Sequence, residues 1–127
     1  MNAAKLRPMR ILNVVAALSG ISALLLLVVS SHHMQGAAPE EIENVRLAAF
    51  VQLGSAAVGV AIAGRSGLIN LIAGALILLG AALFTVAVDT HAIGHNTSFL
   101  PLAPVSGVAM MVGWLTLAFA SPTKRPE

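Results

Sequence analysis

Apolar residues fill four long stretches of the chain, and short polar segments separate them. An α-helix needs about 20 consecutive apolar residues to cross the hydrocarbon core of a bilayer. The pattern therefore predicts transmembrane helices over 11–31, 42–63, 68–88 and 102–121. The last stretch is the clearest of the four, because 100–120 contains no ionisable side chain.

The polar segments carry residues that break helices and turn the chain. Gly36 and Pro39 interrupt the first segment, and acidic side chains at 40, 41 and 43 suit the positive N-terminal end of the next helix. The segment 64–67, Gly-Arg-Ser-Gly, is so short that it predicts a hairpin between antiparallel helices. We therefore expect an all-α membrane four-helix bundle, built as two antiparallel hairpins in a single domain over 1–127.

The N-terminal stretch has a competing interpretation as a secretory signal peptide. Lys5, Arg7 and Arg10 precede it, and 36–38, Gly-Ala-Ala, offers small residues for cleavage. The apolar part of a signal peptide is about 7 to 15 residues long, whereas this stretch reaches the ~20 residues of a membrane span. We expect it to remain in the protein as the first transmembrane helix.

Composition supports the membrane assignment and excludes a water-soluble fold. The 127 residues are 57% hydrophobic and only 9% charged, whereas soluble domains carry about 25% charged residues. The net charge is +2, and the basic residues are not pooled into a patch with interleaved aromatic side chains. The expected surroundings are therefore a lipid bilayer, with no nucleic-acid partner.

The distribution of basic residues predicts the orientation. One side of the predicted spans holds six of them, and only Arg46 lies on the other; the six are Lys5, Arg7, Arg10, Arg65, Lys124 and Arg125. Cytoplasmic loops carry an excess of Lys and Arg. We therefore expect a multi-pass protein of the plasma or inner membrane with both termini in the cytoplasm and all four histidines on the outer side.

Small residues recur at helical spacing in every predicted span. Such residues let helices approach closely in lipid, where burial from water no longer drives association. The expected packing positions are Gly20, Ser55, Gly59, Gly80, Ser106, Gly107, Ala109, Gly113 and Trp114. Trp114 fits either helix packing or the aromatic belt at the membrane interface.

The last third of the chain resembles a known family. Ala-Pro-Val-Ser-Gly at 103–107 and Gly-Trp-Leu at 113–115 are similar to motifs of the domain-of-unknown-function 423 family, which includes transmembrane protein 256. His32 and Gln52 stand where the family has a histidine and a glutamine, but Val51 and Ser55 replace its tyrosine and second histidine. The matching residues are His32, Gln52, Pro104, Gly107, Gly113 and Trp114. The resemblance implies a four-span fold and a membrane location.

Histidine and acidic side chains provide the only candidate metal ligands. The chain has no cysteine. His32, His91, His95 and Asp89 could meet at the outer ends of the spans, where imidazole and carboxylate groups suit Zn²⁺ or Cu²⁺. The alternative is that they are solvated side chains of a polar loop over 89–98, in which Gly94 and Asn96 disfavour a helix.

The functional expectation is a non-enzymatic protein that needs no cofactor. No nucleophile, base and orienting group form a recognisable arrangement. The leading hypothesis is a structural or accessory subunit that acts through helix contacts with another membrane protein or a second copy. The alternatives are a small-solute channel or transporter and an outer-face metal-binding protein. Intramembrane ionisable residues mark most transporters, and the middle of each predicted span lacks one.

Overall fold

A computed structural model describes residues 3–120, with side chains from Arg7 onward, and this part of the chain is helical without a strand. Its elements are α1 (Ala3–His32), α2 (Pro39–Ala63), α3 (Leu68–Gly94) and α4 (Leu102–Phe119). Each of the four helices is long and apolar enough to cross a membrane. The expectation of an all-α chain with four candidate membrane helices is confirmed.

Some residues used for the predicted topology lie outside the part of the chain that the structure describes. Lys124 and Arg125 lie outside the described residues, as does residue 121 at the expected end of the fourth span. The side chain of Lys5 is also outside them.

Helix α2 begins earlier than the apolar pattern indicates. Pro39 is its first residue, although the sequence suggested that this proline interrupts the chain. Proline suits the first turn, because its missing N–H would have no partner there and its φ is already helical. The backbone N–H of Ala38 donates to Glu41 Oε2 at 3.3 Å, which satisfies one group at the helix start.

Helix α3 ends later than the apolar pattern indicates. The polar loop expected from Asp89 starts only at His95, so Asp89 and His91 are helical. Thr90 donates its hydroxyl to Val86 O at 2.6 Å, so this polar side chain is satisfied within the helix itself. His95 ends the helix in a left-handed conformation, with φ of 52°, and its N–H donates to His91 O.

Helices that follow each other in the chain are neighbours in space. Helix α1 packs on α2, α2 on α3 and α3 on α4, while α1 touches α3 more sparsely. Within the described range, α4 lies beside α3, and its backbone does not come close to α1 or α2. Helix α4 is therefore attached to the bundle mainly through α3.

Glycine and alanine allow these helices to approach closely. A Cβ atom added to Gly59 would lie 2.9 Å from Ala16 Cβ, and one added to Gly80 would lie 2.9 Å from Ser106 O. Real Cβ atoms essentially never come this near to their neighbours. The spacing of α2 from α1, and of α4 from α3, thus depends on residues without a side chain.

Apolar side chains fill the interior at both ends and also cover the outside. Met9, Leu12 and Ile77 belong to a buried cluster that joins α1, α2 and α3. Met34 from the segment after α1, Val45 of α2 and Ala92 of α3 form a second cluster towards the other end of the bundle. Large exposed apolar side chains occur on all four helices. An apolar exterior is what a helical fold in lipid needs, since its backbone polar groups are satisfied internally.

Candidate functional site

A cavity of about 380 Å³ lies between α1, α2 and α3. Its volume falls within the range of about 300 to 1,000 Å³ that is typical of small-molecule sites. Most of its lining is apolar, and Ser22, Gln52 and Thr85 add polar groups. The full lining is Ser22, Leu25, Leu26 and Val29 from α1, Gln52 from α2, and Ala82, Thr85 and Val86 from α3.

Gln52 connects two walls of this cavity. Its side chain is only 6% exposed, and Nε2 donates to the backbone oxygen of Ser19 at 2.9 Å. The bond joins α2 to α1 at a backbone carbonyl within α1. Gln52, which matches the glutamine of the family pattern, therefore links α2 to α1 and also lines the cavity.

Thr85 and Asp89 present oxygens that the protein leaves without a partner. Thr85 is 6% exposed, and its Oγ1 is buried without a hydrogen bond. Asp89 Oδ1, one turn further along α3, is likewise buried and unbonded. Residues four apart share a helix face, so the two oxygens lie on one side of α3. Buried polar atoms without a partner are costly, which makes this face the most unusual chemical feature of the described chain.

The apolar pattern alone did not reveal this pairing. The pattern placed Asp89 in a loop, where it would not share a helix face with Thr85. In α3 the two residues are four positions apart and lie on one face. The signal was nevertheless in the sequence, because a helix continued as far as Gly94 puts residues 85 and 89 on one face.

The candidate metal ligands are not brought together. His32 ends α1, and His91 lines a separate cavity of about 170 Å³ with Asn44, Leu47, Phe84, Val88 and Leu100. His95 Nδ1 lies 3.8 Å from Glu41 Oε1. Over the part of the chain that the structure describes, no three His, Cys, Asp or Glu side chains are grouped so that they could hold a metal ion.

The expected packing residues fall into two groups. Added side chains at Gly20, Gly59, Gly80 and Gly113 would contact neighbouring helices, and Ser55 and Ser106 are buried. Ala109 is partly buried on α4. Gly107, by contrast, has open space where a Cβ atom would lie. Trp114 is 51% exposed, and Pro104 is exposed in the first turn of α4.

Comparison of the chain with protein-family models, curated proteins and solved structures finds no match.

Proposed function

We propose that this chain is a multi-pass protein of the plasma or inner membrane whose two termini and 64–67 turn face the cytoplasm. Contacts between neighbouring helices run in opposite directions along the chain, which supports two antiparallel hairpins. Gly20 lies beside Ala56, while Gly59 lies beside Ala16; similarly, Gly80 lies beside Ser106 and Gly113 beside Ile77. Arg7, Arg10 and Arg65 then occupy one end of the bundle, as the positive-inside rule requires.

The proposed role is that of a structural or accessory subunit, which needs neither catalysis nor a cofactor. The observation that carries this proposal is the position of α4, which lies beside α3 and beside no other helix of the described chain. The rest of its surface can contact a helix of another membrane protein or of a second copy. We also propose that the chain is related to the domain-of-unknown-function 423 family. Four of the matching residues lie on α4: Pro104, Gly107, Gly113 and Trp114.

Gly107 allows a test that separates association from folding. A side chain there meets no atom of the chain within 4 Å. Gly107→Leu therefore leaves the internal packing intact but fills the space through which a partner helix could approach. Val105, which is 61% exposed on the same helix, provides the matched control Val105→Leu.

The measurement is affinity capture from gently solubilised membranes, combined with the native mass of the captured species. We expect the wild type and Val105→Leu to retain a stoichiometric partner or a second copy. Gly107→Leu should weaken the association about tenfold, a loss of about 1.4 kcal/mol. A wild-type protein that is recovered alone, as a monomer, would rule out the accessory role.

The cavity favours a second candidate function, the binding or movement of a small solute. Gln52 and Thr85 lie in the wall of a largely apolar, open cavity, and small-molecule sites commonly combine apolar walls with a few polar residues. Flux into proteoliposomes is the direct assay. A broad panel of solutes that crosses no faster than in empty vesicles would exclude transport.

A further inference from the structure

An apolar groove of about 370 Å³ runs between α1 and α3, two helices that touch only sparsely. Leu12 and Leu78 are buried and form its floor, whereas Ile11 and Leu79 are more than half exposed and form its rims. The open side of the groove faces away from the interior of the bundle. In a bilayer it therefore faces lipid, and a hydrocarbon chain is the occupant that suits its walls.

The groove is about as long as one leaflet of a bilayer. It follows α1 from Pro8 to Ser19 and α3 from Leu71 to Ala82. At 1.5 Å per residue, each edge is about 16 Å long. The hydrocarbon core of a bilayer is about 30 Å thick, so the groove matches the acyl chain of a lipid in a single leaflet.

Arginine side chains lie beyond one end of this groove. Arg7 directly precedes Pro8 and is in line with Ile11 at the rim, because residues four apart share a helix face. Arg65 lies at the same end of the bundle, in the turn that leads into α3. Within the described residues no ion pair involves either arginine. Every acidic side chain of 1–120 lies at 40–43 or 89, at the other end of the helices.

The groove and the charge together select an anionic phospholipid. An acyl chain gains little by leaving other acyl chains for an apolar groove, so the groove alone does not distinguish one lipid from another. The headgroup does, because each Lys or Arg near the membrane surface strengthens the binding of an anionic lipid about fivefold. Arginine suits a phosphate in particular, since its guanidinium group can donate to two oxygens at once.

We propose that the groove between α1 and α3 is a binding site for one anionic phospholipid. An acyl chain of this lipid lies on Leu12 and Leu78, and its phosphate accepts hydrogen bonds from the guanidinium group of Arg7. Arg65 adds positive charge at the same end. The proposal requires that the chain spans a bilayer, but it does not rest on the helix association proposed above.

The test uses the full chain in nanodiscs of phosphatidylcholine that contain a small fraction of a photoreactive phosphatidylglycerol, with a diazirine in one acyl chain. Phosphatidylcholine with the same photoreactive chain is the comparison probe, because its headgroup has no net charge. Labelled residues are mapped by mass spectrometry after illumination. We expect labels within 11–19 and 71–82, at least about fivefold more with the phosphatidylglycerol probe. Equal labelling of these segments by the two probes would overturn the proposal.

Two exposed arginines of α1 separate a specific site from general attraction to the membrane surface. Arg7→Gln removes the charge that is in line with the rim of the groove. Arg10→Gln removes a charge from the same end, but Arg10 is two residues from both Pro8 and Leu12 and therefore faces away from the groove. Labelling by the phosphatidylglycerol probe should fall about fivefold in Arg7→Gln and less than about twofold in Arg10→Gln. Equal losses in the two variants would contradict a site at Arg7.

A second pair of variants tests the groove itself. Ala75 is half-buried in the lining, so Ala75→Leu places a larger side chain where the acyl chain would lie. Ala57→Leu makes the same change at an exposed position of α2 outside the groove. Labelling should be lost in Ala75→Leu and unchanged in Ala57→Leu and in Gly107→Leu. A groove that is labelled equally in Ala75→Leu and Ala57→Leu would rule out the acyl chain as its occupant.

Competition on the unmodified protein tests the proposal without any variant. Unlabelled phosphatidylglycerol should displace the probe, whereas glycerol phosphate, which carries the charge without an acyl chain, should not. Displacement by glycerol phosphate would show an anion site without the groove, and equal displacement by added phosphatidylcholine would show a groove without selection by charge. Either result would overturn the proposal.

Discussion

The distance between α3 and α4 is set by individual glycines. A Cβ atom on Gly80 would lie 2.9 Å from Ser106 O and 3.1 Å from Met110 N, which are both backbone atoms of α4. Backbone atoms cannot rotate away as the end of a side chain can. Any side chain at this position must therefore push the two helices apart.

Gly80→Ala is expected to destabilise the protein by about 1 to 3 kcal/mol, the usual cost of overpacking. Gly20→Ala is the matched control, since its new Cβ would make an ordinary contact of 3.6 Å with Ala56. That control should be neutral or slightly stabilising, because alanine is the better helix former. Thermal unfolding in detergent compares the two variants, and a Gly80→Ala protein as stable as the wild type would disprove the close approach.

Residue types alone could not show which small residues face a neighbour. The spacing of Ser106, Gly107 and Gly113 selected all three as packing positions. Ser106 and Gly113 are buried against α3, whereas Gly107 opens onto free space. A glycine has no side chain whose polarity would mark its face, so the tertiary contacts are needed to tell the two cases apart.

At the scale of a helix, the first turn of α2 depends on Glu41. Its carboxylate accepts the backbone N–H of Ala38 at 3.3 Å, and the N–H of Glu41 donates to Ala38 O at 3.0 Å. This reciprocal arrangement resembles a capping box. Glu40 shares the same turn and therefore the same attraction to the helix dipole.

Glu41→Ala should lower the free energy of unfolding by about 0.5 to 1.5 kcal/mol, the net value of one hydrogen bond. Glu40→Ala should cost less, since it removes only the weaker dipole interaction. Urea unfolding in mixed micelles, followed by circular dichroism, measures both variants. Equal losses in the two variants would show that the contact of Glu41 with Ala38 does not stabilise the helix start.

The apolar pattern predicted the existence and type of every helix but misplaced three ends. It began α1 at 11, because basic residues and a proline precede the apolar stretch, whereas the helix begins at Ala3. It began α2 near 42, because the first turn of that helix is charged and contains a proline. It ended α3 at 88, because Asp89, Thr90 and His91 are polar. Polarity marks where a helix leaves the apolar interior, whereas the helix itself continues until its backbone turns at His95, where φ is 52°.

At the scale of the whole molecule, the sequence did not predict how the helices pack on one another. Four similar apolar helices can pack in several ways, and burial from water does not choose among them in lipid. The position of α4 beside α3, and the cavity lined by Gln52 and Thr85, appear only once the helices are placed. The proposals for helix association and ligand binding both depend on that placement.

The most direct test of the account asks which loops lie on which side of a membrane. The chain has no cysteine, so single cysteines can report on accessibility without background. Gln35→Cys and Ser98→Cys lie in the two segments expected outside, and Ser66→Cys lies in the turn expected in the cytoplasm. In intact cells a membrane-impermeant maleimide should label the first two and reach Ser66→Cys only after permeabilisation. Labelling of Ser66→Cys in intact cells, or release of the protein from membranes by an alkaline wash, would contradict the account.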